Sequence, residues 1–157
     1  GSIIVDLGAA PGGWSQIAAE LSQNTVIAVD LLPLKPSPSF KILQLDFTKE
    51  ESRNIISDTL EGKKIDIILS DMSPNVTGWL EIDHLRIINL CYDVFDFAKS
   101  TLKPGGHVIM KTFQGSENTS LVQELRKYFK KVQFFKPSSS RSVSSEIYII
   151  SLNFTPN

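Results

Sequence analysis

The sequence has one cysteine in 157 residues, so Cys91 has no partner for an internal disulfide and no Cys-based zinc site can form. Its two histidines, His84 and His107, have no companion ligands at metal-binding spacing and read as structural, so no metal is expected. No apolar run approaches the ~20 residues that cross a bilayer, and no basic-then-apolar leader opens the sequence. The expectation is a monomer in a reducing intracellular compartment with no membrane partner; cytoplasm, mitochondrion and nucleolus all remain open. A 41% hydrophobic fraction excludes disorder and collagen-like repeats, and the length suits a single domain over 1–157.

Net charge is also scarce, at −1, but the small value hides an asymmetry. Residues 1–98 carry 7 Lys+Arg and 14 Asp+Glu, whereas residues 99–157 carry 9 and 3. An acidic half joined to a basic half points to a polyanion partner. The competing reading is a solvated helix end, because Arg126, Lys127, Lys130 and Lys131 cluster where the helix dipole favours cations.

Short β-rich runs alternate with stretches of helical spacing. Strands are predicted at 3–7, 25–31, 40–45, 65–70, 107–112, 131–135 and 146–152. Helices are predicted at 14–21, from a Thr48 cap to about 60, at about 83–102, and at 117–129. Lys103-Pro104-Gly105-Gly106 reads as a stop and turn. This order implies an α/β fold with a mostly parallel seven-stranded sheet and helices on both faces. The last strand, reached by a loop without a helix, should run antiparallel. Ligands on such sheets gather at the carboxyl ends of the strands, where strand order reverses.

Those ends carry chemistry. After strand one comes Gly8-Ala9-Ala10-Pro11-Gly12-Gly13-Trp14, a turn into a helix N-terminus that admits a ligand close to the backbone. Gly8 and Gly13 match the outer glycines of a dinucleotide fingerprint, but Ala10 replaces the middle one, which disfavours a pyrophosphate. Asp30 ends strand two, where a carboxylate can accept from both hydroxyls of a ribose. Asp46 ends strand three, within reach of an adenine amino group. Each aspartate alone reads equally well as a cap or turn residue. Together the three ends describe a pocket for S-adenosylmethionine. Asp71 ends strand four, Lys111 lies in an apolar strand where a lysine is costly unless paired or functional, and Glu146 starts strand seven.

These residues resemble the FtsJ/RrmJ-type ribose 2′-O-methyltransferases of large-subunit ribosomal RNA. The likeness covers essentially the whole chain, through Asp-Leu-Gly-Ala-Ala-Pro-Gly-Gly-Trp-Ser-Gln, Asp-Leu-Leu-Pro, Asp-Phe, Ser-Asp-Met-Ser-Pro-Asn, Lys-Thr-Phe-Gln-Gly and Ser-Ser-Arg…Glu-Ile-Tyr. It implies a Rossmann-like class I methyltransferase that uses S-adenosylmethionine to methylate RNA, with a uridine of large-subunit rRNA as the expected target. The family's Lys–Asp–Lys–Glu tetrad maps its last three members onto Asp71, Lys111 and Glu146. Its first lysine normally lies upstream of strand one, in an N-terminal segment outside this sequence.

The resemblance also implies cofactor contacts from Gly8, Ala9, Pro11, Gly12, Gly13, Trp14, Asp30, Leu31, Asp46, Phe47 and Asp71. RNA contacts are expected from Lys127, Lys130, Lys136 and Arg141. Trp79 and Phe113 could stack on a base, although Phe113 reads better as packing into the fold. Three rival readings stand beside this one: a nucleotide-dependent oxidoreductase, a tRNA anticodon-loop methyltransferase and a non-catalytic RNA-binding module.

Overall fold

The computed structural model describes residues 1–138 and 145–157. Seven strands and four helices alternate along the chain: β1 Ile4–Leu7, α1 Gly13–Ser22, β2 Val26–Asp30, β3 Lys41–Gln44, α2 Glu50–Thr59, β4 Ile65–Ser70, α3 Leu80–Thr101, β5 Leu102–Phe113, α4 Asn118–Leu125, β6 Phe129–Phe135 and β7 Glu146–Phe154. The sheet order is β3-β2-β1-β4-β5-β7-β6. β1 pairs in parallel with both β2 and β4, while β7 runs antiparallel between β5 and β6. The order therefore reverses between β1 and β4, and the crevice above their carboxyl ends is where ligands bind on such sheets.

The two faces are covered unequally. Val5, Leu7, Ile27, Val29, Ile68, Val108 and Met110 point into one large core with Ile56 and Leu60 of the α2 region, Ile88, Cys91, Val94 and Phe95 of α3, and Leu121 and Leu125 of α4. On the other face the cluster among the described residues is small: Ala18 of α1 packs against Ile4 and Val26, with Phe40 beside them. Beside α1 the sheet keeps an open apolar groove of about 600 Å³, floored by Ile67, Ile109 and Ile150 and walled by Trp14, Ile17 and Phe135.

Several boundaries differ from the sequence expectation: α3 starts at Leu80, α4 ends at Leu125, and β6 begins at Phe129, where the sequence predicts the helix to finish. Thr48 does not cap α2; its hydroxyl donates to Asp46 (2.6 Å), and the helix starts at Glu50. The turn at Lys103–Gly106 is present, but as a bulge inside β5. Leu102 pairs with Ile65 and His107 with Ile67, so four residues oppose one. A Cβ on Gly106 would meet the Asp66 carbonyl at 2.9 Å.

Candidate active site

The carboxyl ends of β1, β2, β3 and β4 surround a cleft of about 640 Å³. Gly8 sits at φ +74°, and a Cβ there would lie 2.7 Å from the Met72 nitrogen, so only glycine lets the ends of β1 and β4 meet. Asp30 accepts hydrogen bonds from the amides of Ala10 (2.8 Å) and Leu32 (2.9 Å), one on each carboxylate oxygen. A carboxylate has about four acceptor sites, so each oxygen retains capacity for a ligand hydroxyl. Asp46 takes the Thr48 hydroxyl and amide on Oδ1, and the hydroxyl chiefly holds its carboxyl below the usual range.

Of the predicted cofactor residues, Gly8, Asp30, Leu31, Asp46, Phe47 and Asp71 line this cleft. Ala9, Pro11, Gly12 and Gly13 form the adjoining turn, in which Ala10–Pro11 is cis. Trp14 goes elsewhere: its ring packs against Tyr148 at 5.6 Å and walls the apolar groove. A hydrophobic side chain at the first turn of α1 follows the face of the helix, not the cleft. Leu32, Met72 and Asn89 also line the cleft and were missed by the sequence reading.

At the far side of the cleft, Lys111 Nζ stands 3.4 Å from Asp71 Oδ1, and its side chain is only 8% exposed. The Tyr148 hydroxyl donates to the same oxygen (2.9 Å). Burial, followed by this bond to a carboxylate, pushes the Tyr148 phenol up, so it serves as a donor over the whole working pH range. Lys111 pairs with Tyr148 in register, and Glu146 lies two residues before Tyr148, which places all three on one face of the sheet. Glu146 stands at the exposed start of β7, with its carbonyl accepting from Lys136 Nζ (3.2 Å). Tyr148 was also missed, because its sequence context is that of any buried strand.

Behind Lys111 the strand is held firmly. Its carbonyl accepts from Cys91 Sγ (3.4 Å), a thiol that burial raises to about 12. Asn118 bridges the Thr112 hydroxyl (2.9 Å) and the Phe113 carbonyl (2.7 Å). His84 is buried against Glu117 (3.0 Å), and a Cβ on Gly115 would run into its ring. Among the described residues no cluster of three or more His, Cys, Asp or Glu could hold a metal, and no helix is long and apolar enough to cross a membrane.

Asp6 is a further site residue that sequence reasoning passed over. Its carboxyl is 1% exposed; Oδ2 accepts from Ser15 (2.7 Å), while Oδ1 has no partner among the described residues. Burial raises its pKa to about 6; the Ser15 bond opposes this, and Asp71 and Asp30 add to it. An acidic strand-end cluster with an unsatisfied buried carboxylate oxygen fits a ligand that carries positive charge. The acceptors at Asp30 and Asp46 fit an adenosine.

The structure does not bring all the basic residues to this site. β6 runs parallel to β5, so its start lies at the opposite end of the sheet from Lys111. Lys127 is there, paired with Glu124 (2.8 Å), and Lys130 lies beside Pro104 and Phe154. Lys136, at the other end of β6, lies at the same end of the sheet as Lys111, with its Nζ on the Glu146 carbonyl. Arg141 lies outside the described residues.

Similarity to known proteins agrees with this geometry. The model of the family FtsJ-like methyltransferase matches residues 1–154. A protein of Rickettsia akari named ribosomal RNA large subunit methyltransferase E is 46% identical over 157 aligned residues, covering 96% of this chain and 69% of that protein. The protein of that name from Caulobacter vibrioides is 42% identical, covering 98% and 68%. A Plasmodium falciparum structure, provisionally described as a ribosomal RNA methyltransferase, superposes with a TM-score of 0.89 at 30% identity, over 99% of this chain and 88% of that one. Human methyltransferase-like protein 13, solved with S-adenosylhomocysteine, shares the fold alone, with a TM-score of 0.67 at 15% identity over 99% and 73%. With its glycine turn, its acidic strand ends and its Lys111–Asp71 pair inside the matched region, the chain belongs to the FtsJ-like methyltransferase family.

Proposed function

We propose that this methyltransferase uses S-adenosylmethionine to methylate a ribose 2′-hydroxyl, that of a uridine in large-subunit ribosomal RNA. The observation that carries the reading is the buried Lys111 ammonium 3.4 Å from Asp71, at the edge of a cleft shaped for an adenosine. The names of the bacterial relatives support the large ribosomal subunit as the source of the RNA.

When bound, S-adenosylmethionine supplies an electrophilic methyl on a sulfonium. The protein must then orient a weakly nucleophilic hydroxyl. Asp71, fixed by Tyr148, holds the Lys111 ammonium in one place. Lys111 then steers a lone pair of the 2′-oxygen toward the methyl and stabilises negative charge developing on that oxygen, while the hydroxyl proton, which the ammonium cannot accept, passes to solvent or to the Glu146 carboxylate on the same sheet face. Positioning of this kind can supply several kcal/mol of the barrier reduction, on the order of 7–11 in well-aligned cases. The acidic cleft favours the cationic donor over the neutral product, which helps release. Ala10 in place of the middle glycine speaks against a pyrophosphate cofactor and hence against a dehydrogenase.

The test is transfer of labelled methyl to unmodified large ribosomal subunits, with tRNA in parallel, followed by alkaline hydrolysis. A 2′-O-methyl blocks cleavage of the next phosphodiester, so the label must appear in alkali-resistant dinucleotides. Lys111→Met should lower transfer at least a hundredfold with cofactor affinity unchanged. Label in mononucleotides, or full activity in Lys111→Met, overturns the reading.

A further inference from the structure

The loop from β4 to α3 is tightly tied, yet it turns its largest side chain into solvent. The Asp83 carboxylate accepts from the Thr77 amide (2.7 Å), the Thr77 hydroxyl (2.8 Å) and the Gly78 amide (3.0 Å). Thr77 Oγ1 accepts in turn from the Trp79 amide (3.1 Å), and the Trp79 carbonyl accepts from the Asp83 amide (2.9 Å). Arg86 donates to the Asn75 carbonyl (2.9 Å), and Gly78 makes the bend at φ +88°. On this braced turn Trp79 is 72% exposed and Leu80 81%.

A covered indole removes 150–250 Å² from water, roughly, so holding one rigidly in solvent is costly unless something covers it. A fixed backbone also lowers the entropy cost of capturing a ligand. The position narrows what that ligand is. The same loop begins at Asp71, and its Ser73, Pro74 and Asn75 line the cleft. Lys111 is 3.4 Å from Asp71 at the start of this loop, so RNA whose ribose reaches Lys111 brings its neighbouring nucleotides close to the loop. Glu81 is exposed in the first turn of α3, next to Leu80 and Trp79, so phosphate is not what this surface attracts. The flat face of a base is, because stacking on an aromatic ring needs no charge and every base offers it.

We propose that Trp79 is a stacking platform for an unpaired nucleobase beside the methylated nucleotide. The proposal rests on the reading of the site as an RNA ribose methyltransferase, and it makes single-stranded or splayed RNA the form that binds.

The probe is a single-stranded ten-nucleotide oligouridylate, followed by tryptophan fluorescence and by direct binding. The chain has two tryptophans, and the part of the quenching lost in Trp79→Phe reports Trp79. RNA should quench the wild type, and most of that quenching should vanish in Trp79→Phe. Trp79→Ala and Trp79→Leu should each weaken binding about tenfold or more, and Trp79→Phe by less than about threefold, with cofactor affinity equal in all four proteins. Leucine binding RNA as tightly as tryptophan would overturn the proposal and mark an apolar docking surface for a protein. So would alanine without effect. The position of the methyl is read separately: ribose methylation with an indifferent Trp79→Ala refutes the platform alone. Base methylation with intact Trp79 quenching refutes the ribose reading alone.

Discussion

Replacing Asp6 by asparagine isolates the electrostatic strain at the heart of the cleft. The Asp6 carboxyl is buried beside two other carboxylates, and its pKa rises from 3.8 to about 6. The folded chain therefore binds this proton more tightly than the unfolded chain does. The stabilisation linked to that proton is complete below pH 3.8 and is lost as pH rises through about 6. At about 1.4 kcal/mol per pH unit, the loss comes to about 3 kcal/mol at pH 8. Asparagine has nearly the same shape, still accepts from Ser15 and never ionises. The gain of Asp6→Asn over wild type should thus be smallest at acid pH and about 3 kcal/mol larger at pH 8 than below pH 3.8, with most of the rise between about pH 4 and 6. For a chain of this size that corresponds to roughly 6–12 °C in Tm. Parallel urea or thermal melts of both proteins without ligand, every half pH unit from 4 to 8, provide the measurement. Asp46 and Asp83, held below their usual range by hydrogen bonds, lose stabilisation at low pH in both proteins and cancel in the difference. A difference that does not change with pH, or one whose rise is complete by pH 5, refutes the reasoning.

Tyr148→Phe keeps the packing on Trp14 and removes the bond to Asp71. It should slow methyl transfer about tenfold, the equivalent of about 1.4 kcal/mol for one hydrogen bond to a charged group, without changing the affinity for S-adenosylmethionine, as read by single-turnover kinetics and calorimetry. Gly8→Ala places a methyl against the Met72 backbone at a positive φ. It should cost about 3 kcal/mol or more in denaturant melts and abolish measurable cofactor binding. Lys136→Ala should raise the KM for RNA more than it lowers kcat, whereas Lys127→Ala, at the opposite end of the sheet, should change neither in steady-state assays.

Much of this was legible because the relevant signals are local. Buried parallel strands such as Ile65–Ser70 read as apolar runs, and a glycine turn after the first of them announces a ligand site. Asp30, Asp46, Asp71 and Lys111 were found because each ends a strand or interrupts an apolar one. The misses depend on sheet order, direction or face. Tyr148 matters because β7 inserts beside β5 and carries its hydroxyl to Asp71, 77 residues away in the chain. Asp6 looks like an ordinary strand residue until α1 brings Ser15 over it and two other strand ends bring Asp71 and Asp30. Lys127 and Lys130 share a basic half with Lys111, but strand direction sends them to the other end. Trp14 belongs to the turn in sequence and to the groove in space. No strand pattern reveals that, among the described residues, a face apolar enough to bury carries one helix instead of several.

That open face has a calorimetric consequence. The heat capacity of unfolding measures apolar surface newly exposed to water, and a fully covered chain of this length would give about 2 kcal/mol/K. The parts of Ile67, Ile109 and Ile150 left exposed in the groove are open to water in the folded state and add nothing to that quantity. The stability curve of this chain is therefore flatter than its size implies. Whatever comes to cover the groove will show itself by sharpening that curve as well as by raising its midpoint.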